Sequence, residues 1–365
     1  MDRHPPSIDA EIQRAETLPG SFYGSAHWHE EARARVFARA WHFLGAGELA
    51  RVPGQLHPTL LGEGVLDEPV VLVRDRDDEL RCLSNVCTHR GALLCEGPAI
   101  ASQLRCRYHG RRFGLDGRLL ASPGFEGATG FPRPEDDLPR LPIGVWRGFL
   151  FAALAPDLDF GSWIAPLAER VAFLPVEQAV LDPARSRDYL VHANWALYCD
   201  NYLEGFHLPY VHAGLAASLD YGRYRTELFP WSSLQVGIAS GGDDLLDLPA
   251  SSPDHGQPVA AYYFWLFPNT MVNVYPWGLS LNVVKPLTPD RTRVSFLSYV
   301  WDPSRLDAGA GAALDRVERE DEVVVEGVQV GLGSCLYARG RYSPAREGGV
   351  HHFHRLLVER LGRPA

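Results

Sequence analysis

Positive charge is scarce in this chain of 365 residues: Lys285 is its single lysine, and 35 lysines and arginines together face 45 aspartates and glutamates, for a formal charge of −10. That balance repels a polyanionic backbone and argues against nucleic acid as a partner. Long apolar runs are lacking too. None approaches the about 18 residues of a membrane span, and the opening MDRHPPSIDAEIQRAE is acidic and polar where a secretory signal is basic and then apolar. These absences point to a cytoplasmic protein that binds no membrane. In such a reducing compartment, six cysteines serve as core residues, metal ligands or reactive thiols rather than disulfides. The remaining composition, 46% hydrophobic with 35 Gly and 28 Pro, is that of an ordinary globular chain, long enough for about two domains of roughly 150 residues.

Local pattern divides the chain. Ala32, Val36, Phe37, Ala40 and Trp41 recur at helical spacing within 28–46, which predicts a leading helix. From Gly54 to Leu120, short apolar runs such as Val70–Val73 and Leu80–Leu83 alternate with Asp-rich or Gly-rich turns, the pattern of a small all-β domain. The stretch 121–142 reads as an irregular connection, and 143–155 returns as strands. Beyond it we expect a strand at Ser186–His192, a helix at Ala196–Phe206, a twisted antiparallel sheet over 259–301 and a long helix from Gly311 to Leu332. The expected fold class is α+β. A helical segment over 1–45 packs on the larger domain, a small β domain spans 46–155, and a larger domain, a sheet flanked by helices, spans 156–365.

Two Cys–His pairs carry the first chemistry. Cys87-Thr88-His89 is followed after sixteen residues by Cys106-Arg107-Tyr108-His109. Two thiolates and two imidazoles on two turns suit a [2Fe–2S] centre with two Cys on one iron and two His on the other, whereas zinc sites rarely use so tight a C-x-H pair. Gly91 and Gly110 permit tight turns beside these residues. Cys82, Cys95, Cys199 and Cys335 have no ligand partner at useful spacing and read as core.

A second constellation follows at 200–212, DNYLEGFHLPYVH. Glu204 and His207, three residues apart, would share a helix face, and Pro209 would break the helix so that His212 folds back toward the same point. Two His with one carboxylate and open positions is the arrangement of mononuclear iron(II) enzymes that activate dioxygen. The carboxylate is open at this point among Glu318, Glu320, Asp321, Glu322 and Glu326 of the late helix, which could equally be a solvated acidic face.

The block CTHRGALLCEGPAIASQLRCRYHGRRFGLDG resembles the cluster-binding segment of the oxygenase (α) subunits of Rieske non-haem iron oxygenases, and DNYLEGFHLPYVH is similar to their catalytic-iron motif. The resemblance implies a Rieske [2Fe–2S] cluster on Cys87, His89, Cys106 and His109, and a mononuclear Fe(II) on His207, His212 and Asp321, with Glu320 as the substitute for Asp321. It gives Glu204 the place of a carboxylate that bridges His207 to His109 of an adjacent subunit, and so implies a ring, a homotrimer. Where many members carry Trp after the His-Gly pair, this chain has Arg111, a departure that touches cluster packing and not ligation. A separate NAD(P)H-dependent reductase with flavin and iron–sulfur groups is expected, since the chain has neither a second Cys-rich segment nor a dinucleotide-binding G-x-G-x-x-G.

Glu204 and the segments LFPNTMVNVYPWGLSLNVVKPL and GLGSCLYARGRYSPAREGGVHHFHRLL look like the choline, carnitine and glycine betaine monooxygenase branch. The implied activity is hydroxylation or N-demethylation of a quaternary ammonium compound. The alternatives are ring hydroxylation or O/N-demethylation of an aromatic substrate and, in another class, a non-catalytic electron carrier or a zinc-stabilised binding protein. Phe206, Tyr210, Tyr263, Trp265, Tyr275 and Trp277 are the candidates for an aromatic pocket wall. His351, His352 and His354 lack a carboxylate or Cys at fixed spacing and read as surface or interface residues.

Overall fold

A computed structural model describes residues 5–241 and 244–363, so the first four residues of the expected leading segment lie outside it. The chain forms two compact units, one of residues 38–160 and one that combines the N-terminal residues up to Phe37 with those from Gly161 onward.

In the smaller unit the strand Glu68–Arg74 lies at the centre of a five-stranded antiparallel sheet, between Gln55–Leu61 and Leu80–Ser84. Its Val-Val-Leu-Val run is apolar on both faces because both are covered. Val71 and Val73 join a core with Leu83, Phe113 and the two cysteines Cys87 and Cys106, while Val70 and Leu72 pack against Leu61, Leu150 and Ala152. The turn after this strand is built on Asp75, whose carboxylate accepts from the amides of Asp77 and Glu79 at 2.9 Å and from Arg81 Nε at 2.7 Å. The cluster loops therefore stand on a rigid sheet.

The leading helix is shorter than its periodicity suggests. Helix α1 (Ala26–Arg35) is capped by Ser25, whose hydroxyl accepts from the Trp28 amide at 3.3 Å, and it is followed by a 3-10 turn at Phe37–Arg39. His42–Ala46, expected as helix, is instead a strand paired with Phe149–Ala152, its register shifting at Gly45, where φ is +135°. Edge pairing outweighs a helical pattern too short to nucleate by itself.

In the larger unit eight strands form one antiparallel sheet, whose centre runs through Arg291–Val300, Gly278–Thr288, Thr270–Tyr275 and Val259–Leu266. Helix α2 is Phe160–Arg170, and α3 is Trp195–Tyr202. Asn194 caps α3: its side chain accepts from the Ala196 amide at 2.9 Å and donates to Pro289 O at 2.7 Å, while its own amide donates to Gln329 at 2.8 Å. Two short helices follow, α4 (Leu208–Val211) and α5 (Ala213–Ser218), and then the long α6 (Leu314–Leu332) and α7 (Gly348–Gly362). The 3-10 turn at Gly309–Gly311 stands where α6 was expected to begin.

The apolar face of α7 meets the sheet. Phe353, wholly buried, lies edge-on to Trp265 of the sheet at 5.3 Å and to Trp195 of α3 at 5.6 Å. His351 and His354, expected as surface or interface residues, are buried on this helix: His354 bonds Asp200 at 2.8 Å and Tyr342 at 2.6 Å, and His351 bonds the Asp9 carbonyl at 2.8 Å. They share the inward helical face with Val350, Phe353 and Leu357. Cys335, expected in the core, is exposed beyond the end of α6, whereas Cys82, Cys95 and Cys199 are buried. Among the described residues no helix is long and apolar enough to cross a membrane. Truncating Phe353 to Ala removes the ring that joins α3, α7 and the sheet, so a loss of about 3–5 kcal/mol is expected, read as a lowered urea midpoint.

Candidate metal centres

The cluster loops of the smaller unit follow one design twice. Cys87 N donates to Ala92 O at 2.8 Å and Gly91 N to Cys87 O at 3.0 Å; Cys106 N donates to Arg111 O at 2.8 Å and Gly110 N to Cys106 O at 3.1 Å. Each loop turns on a glycine of positive φ, +71° at Gly91 and +78° at Gly110, a conformation that L side chains avoid. The result buries Cys87 and Cys106 and presents His89 and His109 outward, with ring centroids 4.7 Å apart. Burial disfavours a thiolate at Cys106, yet the amides of Tyr108 and His109 hydrogen-bond it and bring its pKa below the ordinary value. Two inner sulfurs and two outer imidazoles suit a [2Fe–2S] cluster.

In the larger unit α3 ends at Tyr202, short of the helix expected to reach Phe206. Glu204 and His207 therefore meet through a turn and not along a helix face. The Glu204 carboxylate accepts from the amides of Phe206 and His207 and holds His207 Nδ1 at 2.7 Å. Pro209 does not break a helix but opens one, in the first turn of α4, where its missing N–H costs nothing. His212 is the junction of α4 and α5 (φ −110°, ψ 76°), and that bend turns its ring inward, 1% exposed.

Asp321 of α6 completes the group. The ligand atoms of His207, His212 and Asp321 lie within 4.8 Å of one another, with Asp321 Oδ1 at 3.0 Å from His212 Nε2 and 3.5 Å from His207 Nε2. Asn201 donates to the same oxygen at 2.7 Å. Glu320, the substitute for Asp321 in the sequence reading, turns to the far side of His212 and binds its Nδ1 at 2.7 Å. Each imidazole thus presents Nε2 inward while a carboxylate fixes Nδ1, the arrangement that orients metal-bound histidines. Burial opposes a charged His212, but the hydrogen bonds and charges of Asp321 and Glu320 outweigh it and raise its pKa. Two imidazoles and a carboxylate with open positions fit a mononuclear iron(II).

Beside this group is a cavity of about 100 Å³. Tyr263 and Tyr275 line it as expected candidates, together with Glu318 of the acidic run, but the sequence did not single out Tyr198, Tyr202, Tyr224, Phe296, Gln235, Asn273 and Asn282. Phe206 and Tyr210 are 39% and 80% exposed and lie outside the lining, on the outer side of the segment whose histidines point inward. Trp265 shares a strand face with Tyr263 but lies two residues on, where Phe353 covers it. Trp277 stacks behind Tyr275 at 5.2 Å and 14° and stays in the core. Glu318, buried in α6, bonds Tyr198 at 2.6 Å through one oxygen and, among the described residues, has no partner for the other. Burial, with the charges of Asp321 and Glu322, pushes its carboxyl up to about 8 despite the Tyr198 bond.

Residues 41–132 match the Rieske [2Fe–2S] domain family, and 177–363 match the ring hydroxylating α subunit (catalytic domain) family. A choline monooxygenase of Arabidopsis thaliana is 32% identical, over 96% of this chain and 84% of that protein. The chain belongs to the Rieske non-haem iron monooxygenases. Within them it stands in the quaternary-ammonium branch: the carnitine monooxygenase oxygenase subunit of Escherichia coli (strain K12) is 30% identical over 97% of this chain and 96% of that protein. A solved quaternary ammonium Rieske monooxygenase, described for carnitine oxidation by gut microbiota, superposes with a TM-score of 0.76 at 25% identity over 97% and 100% of the two chains. Naphthalene 1,2-dioxygenase from Rhodococcus sp. shares the fold at a TM-score of 0.71 and 17% identity, covering 95% of this chain and 94% of that one, so the fold by itself does not select a substrate. The oxygenase accordingly has a Rieske [2Fe–2S] domain and a His-His-Asp iron site. Replacing His207 or His212 with Ala is expected to lower the iron content by one per chain while the visible spectrum of the cluster survives; loss of that spectrum as well would contradict the separation of the two centres.

Proposed function

We propose that this oxygenase hydroxylates or N-demethylates a quaternary ammonium compound of the choline, carnitine or glycine betaine kind, using dioxygen and electrons from a separate reductase in the cytoplasm. The observation that carries the reading is the wall of the cavity. Five phenols and Phe296 surround it together with the carboxyl of Glu318, and among the described lining residues there is no Arg or Lys. Burial holds the phenols of Tyr202, Tyr224 and Tyr275 well above their ordinary pKa, so they are neutral rings. A methylated ammonium gains about 0.5–2 kcal/mol from each ring face that it meets. Glu318, its pKa pushed up to about 8, is mainly neutral near pH 7 and adds a polar oxygen that has no partner among the described residues. The choline and carnitine monooxygenases named above point the same way.

Cys87, His89, Cys106 and His109 would hold the [2Fe–2S] cluster, and His207, His212 and Asp321 the iron. When bound, these groups supply single-electron storage and dioxygen activation. The protein's own residues do the rest. Glu204 and Glu320 fix the two imidazoles by their Nδ1 atoms. The aromatic wall excludes water from the reacting carbon. Attack on an N-methyl carbon leaves a hemiaminal that releases formaldehyde, and attack on another carbon next to nitrogen leaves a hemiaminal that breaks its C–N bond to give a tertiary amine and a carbonyl compound.

Glu204 borders the substrate cavity and also a second cavity that it shares with Asp200, Glu347 and His354. That double exposure supports a bridging role in which Glu204 links His207 to His109 of the partner subunit within a homotrimer. Glu204→Gln is then expected to retain both metal centres and slow single-turnover reoxidation of the cluster at least tenfold, followed by stopped-flow absorbance. The substrate reading is tested by oxygen uptake with a surrogate reductase on choline, carnitine and glycine betaine against aromatic acids. Uptake stimulated by the ammonium compounds is expected, and turnover confined to aromatic acids would overturn the assignment.

A further inference from the structure

Arg111 stands where many members of the family carry Trp, and it is only 3% exposed. It ties the two cluster loops together, one through its backbone and the other through its guanidinium. Its carbonyl accepts from the Cys106 amide at 2.8 Å, and its side chain donates to Thr88 Oγ at 2.9 Å, the residue between Cys87 and His89. The same group reaches Ser122 Oγ at 3.0 Å and lies over the rings of Phe125 and Phe131, at 4.9 and 5.2 Å. Its counter-ion is weak. Asp136 Oδ1 is 3.5 Å away, and the other oxygen of that carboxylate accepts from the Arg133 amide at 2.9 Å and faces the Arg133 guanidinium at 3.5 Å. One buried carboxylate is thus shared by two arginines.

We propose that Arg111 is a buried charge that raises the reduction potential of the [2Fe–2S] cluster and so favours its acceptance of an electron from the reductase. The inference rests on the reading of Cys87, His89, Cys106 and His109 as the cluster ligands. Reduction adds one electron, hence one negative charge, to the cluster, and the arginine remains protonated throughout. A fixed cation close by in a medium of low dielectric stabilises the reduced form more than the oxidised one. A tryptophan side chain supplies no such charge. Arg111 is therefore a positioning residue that acts through the cluster and touches no substrate.

The test is the midpoint potential of the cluster in the full-length holoprotein, followed by circular dichroism and paramagnetic resonance. Wild-type protein that lacks the spectrum of a histidine-ligated two-iron cluster would refute the ligand reading before any variant is made. Given that spectrum, Arg111→Gln is expected to shift the equilibrium about tenfold toward the oxidised form, about 59 mV for one electron, and Arg111→Lys to recover most of it. Asp136→Asn, which removes the counter-charge, is expected to raise the potential. A purely structural tie moves neither in opposite directions. An Arg111→Gln protein with an intact spectrum and an unchanged potential overturns the proposal. If that variant fails to hold its cluster, Asp136→Asn decides: a rise supports the proposal, and no change or a fall overturns it.

Discussion

The catalytic unit depends on one electrostatic constraint: three carboxylates converge on two imidazoles, an excess of negative charge that a cation would balance. Asp321 lies between the two Nε2 atoms, Glu204 and Glu320 hold the two Nδ1 atoms, and Glu318 is buried a turn away on α6. Burying several like charges together costs more than their hydrogen bonds return. A divalent cation removes the conflict, and the inward Nε2 atoms mark where it belongs. The rest of the unit serves this convergence. The cap at Asn194 sets the start of α3, Tyr198 and Asn201 on α3 engage Glu318 and Asp321, and α7 clamps α3 against the sheet through Phe353.

The smaller unit solves a different problem with the same economy. A two-iron cluster needs two loops of matched shape, and these loops achieve it with a repeated pair of backbone hydrogen bonds closed by glycines of positive φ. Beneath them the doubly covered Val70–Val73 strand provides stiffness. Stiff loops keep reorganisation small when an electron arrives, which suits a centre whose task is transfer rather than bond making.

Much of the chemistry was legible in the sequence because it is local. C-x-H, C-x-x-H-G and the short span from Glu204 to His212 place their groups within a few residues of one another, where chain geometry alone restricts what they can reach. Even there the mechanism of approach differed: Glu204 meets His207 through a turn, Pro209 opens a helix, and His42–Ala46 pairs as a strand. The acidic run of α6 shows the limit of local reading. It looks like a solvated face, yet Glu318 bonds Tyr198, Glu320 bonds His212, Asp321 faces both imidazoles and Glu326 accepts from the His192 amide at 2.8 Å.

The amino-acid order by itself determined the ligand types, their spacing in each motif and the alternation of the strands, since these follow from covalent distance and side-chain chemistry. Only the tertiary structure decided which acid of α6 turns toward the histidines, which aromatics wall the cavity and which vanish into the core, and that Arg111 and His354 are buried. Those outcomes depend on how separate elements pack: Arg111 meets Thr88 and Asp136 from neighbouring loops, while Tyr198 meets Glu318 and Phe353 meets Trp265 across distant parts of the chain.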